Sequence, residues 1–137
     1  MRLGLISDSQ SSVDLFSLIK EKLIQDIADL EFEEAFVPSL ADVPFKAFQM
    51  ASNTDLVLVI SFYSETNDVT WVKEKLSEIE IKTGVKILKY LQESEFGELL
   101  DEDELEAEKE LEAEKVAKLI HAYLYDLDYF KPRTIKE

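Results

Sequence analysis

The stretch "DLVLVISF", residues 55–62, is the most apolar run in the chain and is rich in β-branched residues. Such an unbroken run is expected of a strand covered on both faces, which places it at the centre of a parallel sheet. Working outward, "RLGLIS" (2–7) is a shorter apolar run ending in polar turn formers and reads as a buried strand. Phe16, Ile19, Leu23, Ile27 and Leu30 then recur at helical spacing, with Lys20, Glu21, Lys22 and Asp26 between them. "EFEEAFV" (31–37) is a strand candidate, followed by a helix from about Val43 to Ser52 with Phe45, Phe48 and Ala51 along one face. Beyond the central run, Val69, Val72, Leu76 and Ile79 mark a third helix, which Gly84 is suited to stop. "VKILKYL" (85–91) gives a fourth strand, and Val116, Ile120, Tyr123 and Leu127 mark a long last helix, about 104–128.

The alternation βαβαβαβα, without repeats or a Pro/Gly-rich linker, predicts one α/β domain over residues 1–137. Its expected architecture is doubly wound, with a four-stranded parallel sheet and helices on both faces. Ligands of such sheets bind in the crevice beyond the strands' C-terminal ends. Three polar, hydroxyl-rich segments fall there: "SDSQSS" (7–12), "VPSLADVP" (37–44) and "SFYSETND" (61–68).

Composition narrows the partners. A net charge of −15 argues against nucleic acid and anionic membrane surfaces, both of which require clustered Lys and Arg. The chain has no Cys, which excludes disulfides, thiolate nucleophiles and Cys-ligated zinc. The first apolar run is too brief for a secretory signal or a membrane span, so a soluble cytoplasmic protein is the expectation.

Two of the three prolines bracket the second loop. Pro38 pushes Val37 into extended geometry, Asp42 is placed to cap the next helix, and Pro44 suits that helix's first turn. Ser39, Leu40 and Ala41 would then expose backbone N–H groups to an anionic or hydroxyl-rich ligand. The competing reading is an ordinary β–α connection with a good cap. "SDSQSS" superficially resembles flavodoxin phosphate loops, but it lacks the glycine that lets backbone approach a ligand closely. A phospho-acceptor receiver domain is excluded, since Ser61 and Phe62 stand where its aspartate would be.

His121, the only histidine, has no partner in view and reads as a surface or interface residue. The carboxylates of 93–114 lack the spacing and central glycine of a calcium loop and read as a solvated helix face. That helix would run about 37 Å, and its acidic first half, with no sustained apolar stripe, would overhang the sheet or lie beside another subunit. Trp71 reads as packing. No metal motif is present, although a divalent ion is not excluded.

With the loops located, the chain resembles the archaeal-type riboflavin synthases, relatives of lumazine synthase. "LGLISDSQSSVD" is similar to the family's first strand and loop, and "VPSLADVPFKAF" to its Val-Pro-Gly segment with a following acidic residue and Leu/Ile-Pro. "DLVLVISF" stands where the family has its central strand, and "AEKVAKLIHAYLYDLDYFKP" resembles its C-terminal helix and Phe-Lys-Pro exit. Departures cluster in the loops: Gln10 and Ser12 replace the family's Phe and Arg, Ser39 replaces a Gly, and Ser61 and Ser64 stand for the glycines after the central strand. They remove a stacking ring and a cationic fork, and add Cβ atoms where backbone would meet ligand.

The resemblance implies dismutation of two 6,7-dimethyl-8-ribityllumazine molecules with transfer of a four-carbon unit. It also implies assembly as a homo-oligomer, a pentameric ring with sites between subunits. The candidate contacts to a ribityllumazine or flavin-like ligand are Ser9, Gln10, Ser11, Val37, Ser39, Leu40, Phe62, Tyr63 and Ser64, with Phe62 or Tyr63 able to take over the missing aromatic role. No catalytic acid or base is named. The loop departures motivate the alternative, a non-catalytic relative that keeps the scaffold for binding or assembly. A third option is a flavin or another phosphorylated small molecule at the same strand ends.

Overall fold

The computed structural model describes residues 1–8, 15–63, 68–93 and 101–125. Its strands β1 (Arg2–Asp8), β2 (Glu31–Val37), β3 (Leu56–Tyr63) and β4 (Lys86–Glu93) form one four-stranded sheet in the order β2-β1-β3-β4. Every pairing is parallel. The α-helices are α1 (Phe16–Asp26), α2 (Val43–Ala51), α3 (Asp68–Thr83) and α4 (Glu102–Tyr125), with a 3-10 turn at Leu40–Asp42 leading into α2. The apolar run that decided the reading is β3, hydrogen-bonded to β1 on one side and β4 on the other, with Leu56 to Phe62 buried.

The strand order makes the winding double. The chain steps from β1 to β2 in one direction, then returns past β1 to β3 and β4 in the other. Right-handed crossovers in opposite directions put their helices on opposite faces of a sheet. Accordingly, Leu3, Leu5, Leu58 and Ile60 pack against Phe16, Ile19 and Leu23 of α1 and Val116 and Ile120 of α4. Ile6, Val57, Val59 and Ile87 face the other way, onto Val43, Ala47 and Met50 of α2 and Val72 and Leu76 of α3. Gly4 faces α2: a Cβ there would make van der Waals contact, at 3.4 Å, with both the Met50 sulfur and the Thr54 methyl. Gly84 ends α3 with φ +74°, donating its N–H to the Glu80 carbonyl at 2.9 Å.

Three local expectations are corrected. Phe45 and Phe48 share the outer face of α2, while Ala51, expected beside them, is buried with the stripe of Val43, Ala47 and Met50. Trp71, read as packing, is 45% exposed on α3. Asp42 does not cap α2: its carboxylate accepts a hydrogen bond from the Ser39 hydroxyl at 2.9 Å, and its own N–H bonds the Ser39 carbonyl. The 3-10 turn therefore closes on itself, and α2 begins directly from it. α4 is continuous over 24 residues, largely exposed up to Leu111 and buried through Ala113, Val116 and Ile120 beyond it. The expected extension of this helix to 128 lies outside the described residues.

The edge strand β4 is tied to α3 by one carboxylate. Glu80 accepts the Ile87 N–H at 2.8 Å and the ammonium groups of Lys89 at 2.8 Å and Lys86 at 3.1 Å. Burial pushes its pKa up, but these donors together outweigh burial and hold the carboxyl below its ordinary value. A depressed folded-state pKa gives stability that is present above the unfolded value and lost as pH falls through the folded one. Glu80→Gln is expected to cost about 1–3 kcal/mol at neutral pH, the scale of orphaned charge-assisted bonds. In urea titrations across the acid range, the gap between wild type and variant should close as pH falls.

Candidate site at the C-terminal edge of the sheet

The C-terminal edge is formed by Asp8 of β1, Val37 of β2, Tyr63 of β3 and Glu93 of β4. The direction of winding reverses between β1 and β3, the position where open parallel sheets hold their ligands. Ser7 pairs with Ile60 across that boundary, which makes Asp8 and Ser61 the next neighbours beyond it. Both fall on the alternation that carries Ile6, Val57 and Val59 toward α2 and α3. Ser61 donates its hydroxyl hydrogen to Asp8 Oδ1 at 3.0 Å. The two residues are 0% and 3% exposed respectively.

Burial of a carboxyl disfavours its charged form. That desolvation holds the Asp8 pKa above its ordinary value, and the bond from Ser61 and a backbone bond offset it only in part. A carboxyl so placed can hold a proton at a pH where a surface aspartate would have lost it. It is therefore suited to donate and accept protons or to receive a ligand's N–H or O–H. Reading along the chain missed this pair. Along the chain Ser61 reads as a departure from glycine and as the residue that replaces a receiver domain's aspartate, and Asp8 as one polar residue in a polar loop.

The sequence-derived contacts divide around the pair. Val37 and Leu40 turn into the core beneath α2 and α3. Ser39 is half-buried, with its hydroxyl engaged by Asp42. Tyr63 follows the alternation of Ser61 and packs, half-buried, on the same core. Phe62 belongs to the opposite face, buried with the α1 and α4 cluster and edge-on to Tyr90 at 6.2 Å between ring centroids. Of the two aromatics, Tyr63 thus shares a face with Asp8. Ser9, Gln10, Ser11 and Ser64 lie outside the described residues.

Among the described residues, no group of three or more His, Asp or Glu side chains is placed to hold a metal ion. No described helix is long and apolar enough to cross a membrane. His121 is exposed on α4 with its ring 4.6 Å from that of Tyr125, away from the sheet edge.

No protein-family model and no curated protein matches this chain. A solved structure titled "Solution structure of a phosphate-loop protein" aligns over 98% of this chain and 100% of its own, at 14% identity and a TM-score of 0.44. That likeness is too loose to assign a ligand, and the fold stands on the strand order and pairing described above.

Proposed function

We propose that this chain is a riboflavin-synthase-like protein that binds a ribityllumazine or related flavin-like heterocycle beyond the C-terminal ends of β1, β2 and β3. The observation that carries the reading is the adjacency of those three parallel strands, whose C-terminal ends share one edge. The segments that follow them are the ones that resemble the riboflavin synthase loops.

In the proposed reaction, one 6,7-dimethyl-8-ribityllumazine gives up a four-carbon unit and leaves as 5-amino-6-ribitylaminouracil. The other gains the unit and becomes riboflavin. Atoms and electrons balance between the two, so no external oxidant and no bound cofactor is needed. The rate then depends on holding two flat rings face to face, with a proton carrier beside them. Asp8 is the candidate proton carrier, and Tyr63 offers a ring on the same face. The resemblance also implies a ring of subunits, pentameric, with sites between neighbours.

A second reading, a non-catalytic binding or assembly module, is favoured by the burial of Val37 and Leu40 and the Ser39–Asp42 bond. These leave the second loop with fewer groups free to meet a ligand. Incubation with 6,7-dimethyl-8-ribityllumazine, followed by riboflavin fluorescence, separates the two. Turnover is expected, and Ser39→Gly should tighten binding by removing both a Cβ and the tie to Asp42. Binding without turnover supports a binding module, and neither binding nor turnover overturns the enzyme and leaves only the assembly scaffold.

A further inference from the structure

The outer face of α2 and α3 carries an apolar groove unconnected with the chemistry of the sheet edge. Phe45 is 71% exposed, Phe48 49% and Trp71 45%, and Ile81 lies beside them. Together they line a depression of about 510 Å³. Large apolar side chains exposed side by side mark an interaction surface more often than scattered single ones do. The charged groups at this groove are Lys75, Glu78 and Lys82. Lys75 and Glu78 pair at 3.0 Å, which leaves the rim with a surplus positive charge on a chain of net charge −15. The groove thus favours an occupant that is apolar along one line and acidic beside it.

The chain itself carries such an element. Glu104, Ala107, Leu111 and Glu114 recur at intervals of three and four along the exposed side of α4, and Leu111 is 46% exposed, with Lys115 one turn on already paired to Glu112 at 3.2 Å. A helix presenting one apolar anchor with flanking carboxylates fits a groove with an aromatic lining and a basic rim. α4 packs against α1 on the opposite face of the sheet from α2 and α3. Leu111 itself lies next to Glu110, which pairs with Lys22 of α1 at 3.1 Å on that opposite face, so seating it in the groove joins two molecules.

We infer that the α2–α3 groove receives the outward face of α4 from a second copy of this chain, head to tail, with Leu111 seated among Phe45, Phe48 and Trp71. Such a heterologous contact uses different patches on the two partners and closes into a ring or continues as a filament. This deepens the ring assembly proposed above by fixing which surfaces meet. Its test reads assembly alone, so it can fail while the ribityllumazine reaction stands.

The experiment is sedimentation of wild type, Phe45→Asp and Leu111→Lys, each confirmed as folded by its thermal transition. Both substitutions are at exposed positions, so folding should be retained. Wild type is expected to sediment as an oligomer and each variant as a monomer. An equimolar mixture of the two variants should form dimers that grow no further, because together they supply one intact groove and one intact helix face. A monomeric wild type, a variant that keeps the wild-type size, or a mixture that stays monomeric would overturn the inference.

Discussion

Asp8→Asn is expected to lower the proposed riboflavin formation by about 100-fold or more while making the protein more stable at neutral pH. The carboxyl is buried at the switch point and accepts a hydrogen bond from Ser61, and its pKa is raised chiefly by desolvation. A folded-state pKa above the unfolded value means that the folded state binds more protons between the two. Stability therefore falls as pH rises through that window. Removing the ionisable group removes the penalty, with a gain in stability at neutral pH. Asparagine can still accept the Ser61 bond, so the local geometry should be kept. It cannot carry a proton, and loss of a proton carrier typically lowers a rate by about 100-fold or more. Urea titration at acid and neutral pH, with fluorescence assays beside it, reads both effects. Equal stability of the two proteins at every pH would remove the argument for strain at Asp8, and unchanged turnover would remove its proposed role. The opposed signs matter, since a residue kept at a cost in stability is better explained by function than by folding.

The second large effect concerns how α4 is held. Tyr90 of β4 donates its hydroxyl hydrogen to Glu112 Oε1 at 2.5 Å, and Lys115 donates to Glu112 Oε2 at 3.2 Å. Glu112 is buried where α4 meets the sheet, one residue before the helix enters the core at Ala113. Tyr90→Phe leaves that carboxylate with the lysine alone. The expected cost is about 1–3 kcal/mol, the penalty for orphaning a buried charged acceptor. Pairing it with Glu112→Gln in a double-mutant cycle should give a coupling energy of about 1 kcal/mol or more, because the two groups are in direct contact. Burial first, and Glu112 second, raise the Tyr90 pKa above its ordinary 10.0. A raised folded-state value gives stability fully present below the unfolded pKa and lost as pH climbs through the folded one. The Tyr90→Phe penalty should thus be complete at neutral pH and shrink only in strong alkali. Additive single effects would show instead that α4 is held by its apolar face alone.

The four strands were legible because each is an apolar or β-rich run closed by polar residues, and parallel pairing follows when helices separate such runs. The orientation of α2 was not. "VPFKAFQMA" is apolar nearly all round, with Lys46 and Gln49 as its only polar residues, so its periodicity allowed either Phe45 and Phe48 or Val43, Ala47 and Met50 to face inward. Only the approach of the helix to Gly4 and Val57 decides between them. Asp42 has a cap residue's identity but lies in the α region, with its carboxylate turned to Ser39. The Asp8–Ser61 pair joins residues 53 apart in the chain, and no local pattern could have shown it. The sequence left Phe62 and Tyr63 as alternatives, and the structure places them on opposite faces, with Tyr63 on that of Asp8.

The most direct test of the account is a map of backbone amide shifts on titration with 6,7-dimethyl-8-ribityllumazine. A ligand at the C-terminal edge should move the signals of Asp8, Ser39, Ser61 and Tyr63 and leave those at the opposite edge, Glu31, Asp55 and Lys86, in place. Shifts centred on the opposite edge, or none at saturating ligand, would contradict it.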